Sequence, residues 1–268
     1  MNGKNLFVVG STSYLAGHFS EATKDHFSVV GAPRFENIDR HPQHDDVFLN
    51  FSTAPDYLNK PYDPRCDVDL QIAQRLKNTP AHFVMMSTRM VCGPGEGRTL
   101  GETASPDPRS NYAQNKLESE NRVLEILGDK CTVLRLSNIF GMEYGRRTFA
   151  GDALTSLKNN GKIYLDIRKD VFRDFLPVQT FTKMLCNFVA SPASGTYNLG
   201  SGHKTSVGEI ANWFVEGYGF GEVEVTEDRN FDSFCLDVSK IGNIIDVNVT
   251  KNEIEQFAKQ AGRELKDA

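Results

Sequence analysis

Tyr112 and Lys116 stand four residues apart in Asn111-Tyr112-Ala113-Gln114-Asn115-Lys116, a spacing that puts a phenol and an ammonium on one face of a helix. An ammonium beside a phenol stabilises the phenolate, so such a pair can transfer a proton near neutral pH, and the same ammonium can hydrogen-bond a ribose. A tyrosine tucked on a helix beside a solvated lysine has the same spacing, so the pair gains meaning only from its company. Ser87-Thr88-Arg89-Met90-Val91-Cys92-Gly93 follows the apolar run His82–Met86. The Thr88 hydroxyl therefore falls just past the C-terminal edge of a strand, where doubly wound sheets bind ligands, and can orient a substrate oxygen beside Tyr112.

A second constellation opens the chain. Gly10-Ser11-Thr12-Ser13-Tyr14-Leu15-Ala16 lies between an apolar run ending at Gly10 and a helical pattern starting at Tyr14. Backbone N–H groups and a helix N-terminus in that position can hold a pyrophosphate. Only Gly10 remains of the usual three glycines, with Ser13 and Ala16 in the other two places, so an ordinary β-α turn and a dinucleotide cradle both fit. The second strand runs out through Val29-Val30-Gly31-Ala32-Pro33-Arg34 with no carboxylate to grip both ribose hydroxyls. Arg34 either meets a 2′-phosphate, favouring NADP with NAD as the alternative, or is a solvated loop arginine.

The elements that must position these groups alternate. Strand-like runs occupy Asn5–Gly10, Phe27–Val30, Val47–Phe51, His82–Met86, Cys131–Leu136 and Thr196–Leu199, and helical patterns fall at about 14–24, 67–76, 112–127 and 149–159. Alternation of this kind implies a parallel sheet covered on both faces. Ser206-x-x-Glu209 and Thr250-x-x-Glu253 are capping-box signatures and predict two late helices. With no repeat or long linker, a second lobe must be woven from segments after about residue 138. The expected division is 1–140 plus about 176–200 for the dinucleotide-binding domain, and about 141–175 plus 201–268 for a small, discontinuous α/β substrate lobe.

Composition narrows the classes. The chain has 268 residues, 39% hydrophobic, with 30 Lys+Arg against 35 Asp+Glu and a net charge of −5. It is long enough for a sizeable core and has no basic excess for nucleic acid or an anionic leaflet. The apolar run Leu6–Val9 is far short of a signal sequence, and no stretch is long enough for a membrane span, so a cytoplasmic protein is expected. Cys66, Cys92, Cys131, Cys186 and Cys235 are scattered and odd in number, which reads as reduced thiols. His41-x-x-His44 beside Asp45 and Asp46 imitates a metal cluster but sits in a polar loop, so no metal is expected.

The motifs together resemble the extended short-chain dehydrogenase/reductases that act on nucleotide sugars, nearly end to end. Ser87-Thr88-x-x-Val91-Cys92-Gly93 is similar to the family's S-[ST]-x-x-V-[YF]-G, and Tyr112/Lys116 to its Tyr-x-x-x-Lys pair. Leu134-Arg135-Leu136-Ser137-Asn138-Ile139-Phe140-Gly141, Arg173-Asp174-Phe175-Leu176-Pro177-Val178, Tyr197-Asn198-Leu199-Gly200-Ser201-Gly202 and Asp237-Val238-Ser239-Lys240 resemble four further family motifs in order. The resemblance implies a Rossmann-type doubly wound sheet and a catalytic trio of Thr88, Tyr112 and Lys116. It implies dinucleotide contacts at Gly10, Thr12, Ser13, Tyr14, Leu15, Arg34, Phe51, Ser52, Thr53, Ser87 and Leu136 besides Tyr112 and Lys116. Substrate contacts are implied at Thr88, Arg89, Met90, Asn138, Arg173 and Arg229. Arg146 and Arg147 either pair with a diphosphate or are solvated.

The implied activity is NAD(P)-dependent hydride transfer on a nucleotide-diphosphate sugar, with 4-keto reduction expected first and epimerisation with retained NAD second. Dehydratases of the family carry Asp-Glu after the catalytic threonine, where Arg89-Met90 stands here. A non-catalytic dinucleotide-binding regulator is the alternative from another class, motivated by the thinned glycine loop. The chain also departs from the family pattern at Asp67 (usually Asn), at Gln179 (usually Asp) and in the short stretch 31–46. Apolar residues on 67–76 and 112–127, Ile72 among them, predict a homodimer built on those helices.

Overall fold

The computed structural model describes residues 5–34 and 46–268; His41, His44 and most of the short stretch after the second strand lie outside them. In chain order the first half comprises β1 (Asn5–Val9), α1 (Tyr14–Thr23), β2 (Ser28–Ala32), β3 (Val47–Asn50), α2 (Pro55–Asn59), α3 (Val68–Leu76), β4 (His82–Thr88), β5 (Arg98–Leu100) and α4 (Asn111–Leu127). The chain continues through β6 (Cys131–Leu136), β7 (Asn138–Phe140), α5 (Phe149–Asn160), β8 (Lys162–Leu165), β9 (Phe172–Arg173), β10 (Phe175–Pro177), α6 (Val178–Ala190) and β11 (Gly195–Leu199). It ends with β12 (Thr205–Ser206), α7 (Val207–Tyr218), β13 (Glu222–Val225), β14 (Phe234–Leu236), α8 (Ser239–Gly242) and α9 (Lys251–Glu264).

Six parallel strands form the main sheet in the order β11-β6-β4-β3-β1-β2. The strand run reverses direction across β1 and β3, so a crevice opens at their C-terminal ends, beside Gly10 and Phe51-Ser52-Thr53. Alternate residues of each strand serve opposite layers. Leu6, Val8, Leu49 and Val84 pack with α1 and α6 through Phe19, Phe181 and Leu185. Phe7, Val9, Phe48 and Phe83 pack with α3 and α4 through Ile72, Leu76, Val123 and Leu127. A sheet buried on both faces needs near-continuous apolar strands, which is why Val47-Phe48-Leu49 and Phe83-Val84-Met85-Met86 have no polar alternation. The fold is a Rossmann-type α/β structure, as the alternating pattern implied.

Helix ends follow local chemistry. Ser13, Asp67, Ser110 and Thr148 cap α1, α3, α4 and α5 through side-chain oxygens, and both capping boxes form, at Ser206/Glu209 and Thr250/Glu253. Asp67, in the family's usual Asn place, accepts hydrogen bonds from Leu70 N at 3.0 Å, Tyr62 Oη at 2.7 Å and Ser119 Oγ at 2.6 Å.

Segments after Gly141 share one apolar core with the α1/α6 layer, through Leu154, Leu157, Phe175, Ile210 and Phe214. Asp174 pins these segments together. Fully buried, it accepts from Ser201 N (2.8 Å), Ser201 Oγ (2.9 Å), Gly202 N (3.0 Å) and Leu236 N (3.2 Å), joining the β9–β10 turn to the loop after β11 and to β14. The neighbouring Arg173 is thereby aimed at a fixed point.

The placing of Ile72 on a homodimer face is corrected by its burial. Ile72, Ala73, Leu76 and Val123 are fully buried inside the monomer, against the strands of the second layer. The apolar stripe on α3 and α4 is spent on the chain's own core and leaves no face through Ile72 for a second copy. The pattern could not reveal this, because a helix covering a two-sided sheet needs the same wide stripe.

Candidate active site

The C-terminal ends of β1, β3, β4 and β6 bring the two constellations together. A cavity of about 460 Å³ is walled by Thr88, Arg89, Met90, Tyr112, Asn138, Phe149, Arg173 and Phe175 among others. A smaller one adjoins it, with Ser13, Phe51, Ser52, Thr53 and Lys116 on its walls. The two share Tyr14, Leu15, Ser87, Tyr112, Leu136 and Arg146, so Tyr112 stands at their junction. Tyr112 sits in the first turn of α4, one turn before Lys116. Thr88 ends β4 and caps the following 3-10 turn, its Oγ1 accepting from Met90 N at 3.2 Å, which leaves the hydroxyl proton available to the cavity.

Lys116 is buried. Its Nζ lies 2.8 Å from Asp69 Oδ2 and donates to the Met86 carbonyl at 2.9 Å. Burial, the largest single influence, would lower its pKa, but Asp69, with Tyr112 and Asp67 adding to it, outweighs this and holds the ammonium above its usual range. Ser87, expected at the dinucleotide, turns its hydroxyl to Glu120. Glu120 also receives Arg135 through two nitrogens, with Nη2 to Oε2 at 2.7 Å, beneath the strand that carries Thr88. Cys92 lies 3.7 Å from the Arg135 guanidinium, and burial pushes its thiol pKa up, so it is a packed core residue.

Around the larger cavity, three buried polar atoms have no protein partner: Tyr14 Oη, Ser137 Oγ and Arg173 Nε. Burial is the first cause lowering the Arg173 pKa, with Arg89 adding to it and Asp232 opposing. Tyr14 Oη fits only because residue 141 is glycine; a Cβ there would come within 2.2 Å of it. Burial, reinforced by Glu143, raises the Tyr14 pKa. Arg146 stacks 4.8 Å above the Tyr14 ring and pairs with Glu143 at 3.3 Å, so it reaches the wall shared by both cavities.

The residues expected from sequence divide clearly. Thr88, Met90, Asn138 and Arg173 converge on the larger cavity. Arg89 reaches it with its charge already matched, bonded to Asp232 through both terminal nitrogens and 3.9 Å from the Phe234 ring centroid. Arg229 is not brought to the site. It is exposed, held at the surface by Asp166 at 2.7 Å and Glu227 at 2.8 Å. Asp166, 63 residues away, gave no signal of the pairing.

At the opening loop, Gly10 takes φ +75°, and a Cβ there would sit 2.6 Å from Ser52 N, so glycine is required for β1 and the β3 loop to meet. Ser13, Tyr14 and Leu15 line the smaller cavity, whereas Thr12 is exposed at the turn. Arg34 lies with Arg65, Ser52 and Thr53 on a third cavity of about 450 Å³ at the other end of the crevice. These walls fit a dinucleotide laid across the crevice over the N-terminus of α1, adenosine end toward Arg34 and the reacting end toward Tyr112. Missed by sequence reasoning are Asn50, Asp69 and Glu120, which meet Asp69, Lys116 and Arg135 respectively from 15 to 47 residues away. No group of His, Cys, Asp or Glu among the described residues could hold a metal ion, and no described helix is long and apolar enough to cross a membrane.

Comparison with known proteins places this arrangement. Residues 66–230, more than half of the chain, match the family described as RmlD substrate binding domain. No curated protein sequence matches the chain. Among solved structures, it is similar to UDP-N-acetylglucosamine 4-epimerase from Methanobrevibacter ruminantium M1 in complex with UDP-N-acetylmuramic acid, at 17% identity, 100% coverage of both chains and TM-score 0.81. It is also similar to RMD from Pseudomonas aeruginosa complexed with NADPH, at 18% identity, 97% and 99% coverage and TM-score 0.75. UDP-glucuronic acid 4-epimerase from Bacillus cereus, in complex with UDP-glucuronic acid and NAD, matches at 15% identity, 98% and 99% coverage and TM-score 0.82. With the trio Thr88, Tyr112 and Lys116 at one crevice of a Rossmann-type sheet, the chain belongs to the RmlD substrate binding domain family, among the extended short-chain dehydrogenase/reductases that process nucleotide sugars with NAD(P).

Proposed function

We propose that the protein reduces a 4-keto, 6-deoxy nucleotide-diphosphate sugar with NADPH, using the crevice of β1 and β3 for the dinucleotide and the segments 141–175 and 201–268 for the substrate. The observation that carries this reading is the position of Tyr112 at the junction of two cavities, one beside the α1 N-terminus, the other walled by Arg146, Arg173 and three unpartnered buried polar atoms. Two guanidinium groups in a polar cleft suit a diphosphate. When bound, the dinucleotide supplies the hydride. Thr88 holds the sugar oxygen in place through a hydrogen bond from its hydroxyl and keeps its own proton. Tyr112 delivers the proton that completes the alcohol, and Lys116 keeps its positive charge beside that phenol.

Reduction is favoured over epimerisation by the end of β2, where Pro33 and Arg34 stand in place of a ribose-gripping carboxylate. An epimerase must keep its NAD through both hydride transfers, whereas a reductase exchanges it. Denaturing the purified protein and assaying the released nucleotide separates the two. No stoichiometric nucleotide is expected, and near-stoichiometric NAD would establish the epimerase instead. Arg34→Ala is expected to weaken NADPH binding by about 1–2 kcal/mol and to leave NADH nearly untouched, since NADH lacks the 2′-phosphate that the guanidinium would meet. Isothermal titration with both dinucleotides reads this, and equal losses would remove the NADP preference.

A further inference from the structure

Resting on the dinucleotide reading of the crevice, we propose that Asp69 is a positioning residue, the buried counter-ion that keeps Lys116 charged and ties it through Asn50 to the dinucleotide loop. Asp69 Oδ2 accepts from Lys116 Nζ at 2.8 Å, and its Oδ1 accepts from Asn50 Nδ2 at 2.7 Å. Asn50 in turn accepts from Ser52 N at 2.9 Å and Ser52 Oγ at 3.0 Å through its Oδ1. One unbroken chain of hydrogen bonds thus runs from the loop after β3 to the lysine on α4, across three elements that sequence order separates.

Both ends of the ion pair are almost wholly removed from water, with side-chain exposures of 5% and 4%. A lysine in such a place sheds its proton unless a carboxylate answers it. The geometry also fixes how its three donors are used. One goes to Asp69 and one to the Met86 carbonyl, leaving a single N–H on a lysine that lines the smaller cavity. Without Asp69 neither the charge nor the direction of that last donor is determined.

The other charged or titratable groups facing Lys116 do not replace Asp69. Asp67, also on α3, is saturated by Leu70 N, Tyr62 and Ser119. Tyr57 on α2 offers its ring, 5.7 Å from Nζ, and its hydroxyl is bonded to Ser119. Tyr112 is on the same helix, Glu120 is taken by Arg135 and Ser87, and the buried Cys131 thiol on β6 has its pKa raised by burial and then by Asp69 itself.

The test is NADPH affinity against pH, read by nucleotide fluorescence, in the wild type, Asp69→Asn and Asp67→Asn. In the wild type Lys116 stays charged through this range, so affinity is expected to be level from about pH 6 to 9. In Asp69→Asn the carboxylate in direct contact with Nζ no longer opposes burial, Lys116 loses its proton as pH rises, and affinity is expected to fall about tenfold or more between pH 7 and 9. Asp67→Asn removes an equally buried carboxylate and is expected to keep the level profile at any cost in melting temperature, which a merely structural role for Asp69 would not distinguish. A level profile for Asp69→Asn, or the same decline in both variants, overturns the proposal. If Asp69→Asn does not fold, the wild-type profile still decides, since a decline in affinity centred below pH 9 shows that Asp69 does not hold the charge. The readout is binding, so failure to find a sugar substrate leaves it standing. A wild type that binds no NADPH at any pH refutes the dinucleotide reading itself.

Discussion

Tyr112→Phe is expected to lower turnover by about 10² or more while NADPH affinity stays nearly unchanged. The substitution removes one oxygen and its proton and keeps the ring that forms part of the wall between the two cavities. Thr88 still orients the substrate oxygen, and Lys116 still lines the smaller cavity with its single free donor, so binding groups survive and only the proton transfer is lost. Steady-state kinetics with a keto-sugar nucleotide, paired with NADPH titration, gives both halves of the result. Turnover equal to wild type would show that Tyr112 is not the acid. A wild type that binds NADPH and turns over no nucleotide sugar would favour the regulator reading, in which the fold is kept and the chemistry is not.

Glu120→Ala is expected to be the most damaging single change to stability near the site, at about 3–5 kcal/mol. Glu120 is 2% exposed and serves Arg135 and Ser87 together. Its removal strands a guanidinium that is itself only 7% exposed, with the Glu102 carbonyl at 3.1 Å as its remaining oxygen partner. For a chain of this length the loss corresponds to a fall in melting temperature on the order of 10 °C. Differential scanning calorimetry would read it, and a fall of only one or two degrees would mean that solvent reaches Arg135. Replacing both partners by apolar residues should recover much of the loss, because the damage comes from the unpaired charge and not from the missing pair.

The central sheet and most of its covering helices were legible in the residues because each rests on a local rule. Val47-Phe48-Leu49 and Phe83-Val84-Met85-Met86 are apolar on successive positions because both faces of those strands are buried. Ser206/Glu209 and Thr250/Glu253 mark helix starts because a hydroxyl and a carboxylate three residues apart satisfy each other's backbone donors. The convergence of Thr88, Tyr112 and Lys116 was legible for the same reason: Tyr112 and Lys116 are one helical turn apart, and Thr88 ends its strand. The helix 178–190 escaped notice, since it starts after Pro177 with no side-chain cap and follows β10 without a loop.

What tertiary structure alone decided is which charges meet. Asp69 finds Lys116 across 47 positions, and Arg89 finds Asp232 across 143. Arg229, similar in type to Arg173, ends at the surface between Asp166 and Glu227, while Arg173 is carried into the cavity by the buried Asp174 beside it. The stripe on α3 and α4 went to the monomer core for a related reason. A sequence pattern reports that a face is apolar, but only the packed chain determines what covers it. Periodicity follows from backbone geometry, which repeats along the chain, so it can be read locally. Ion pairing depends on distance through a folded interior, where removal from water makes each mismatch costly and leaves few permitted partners.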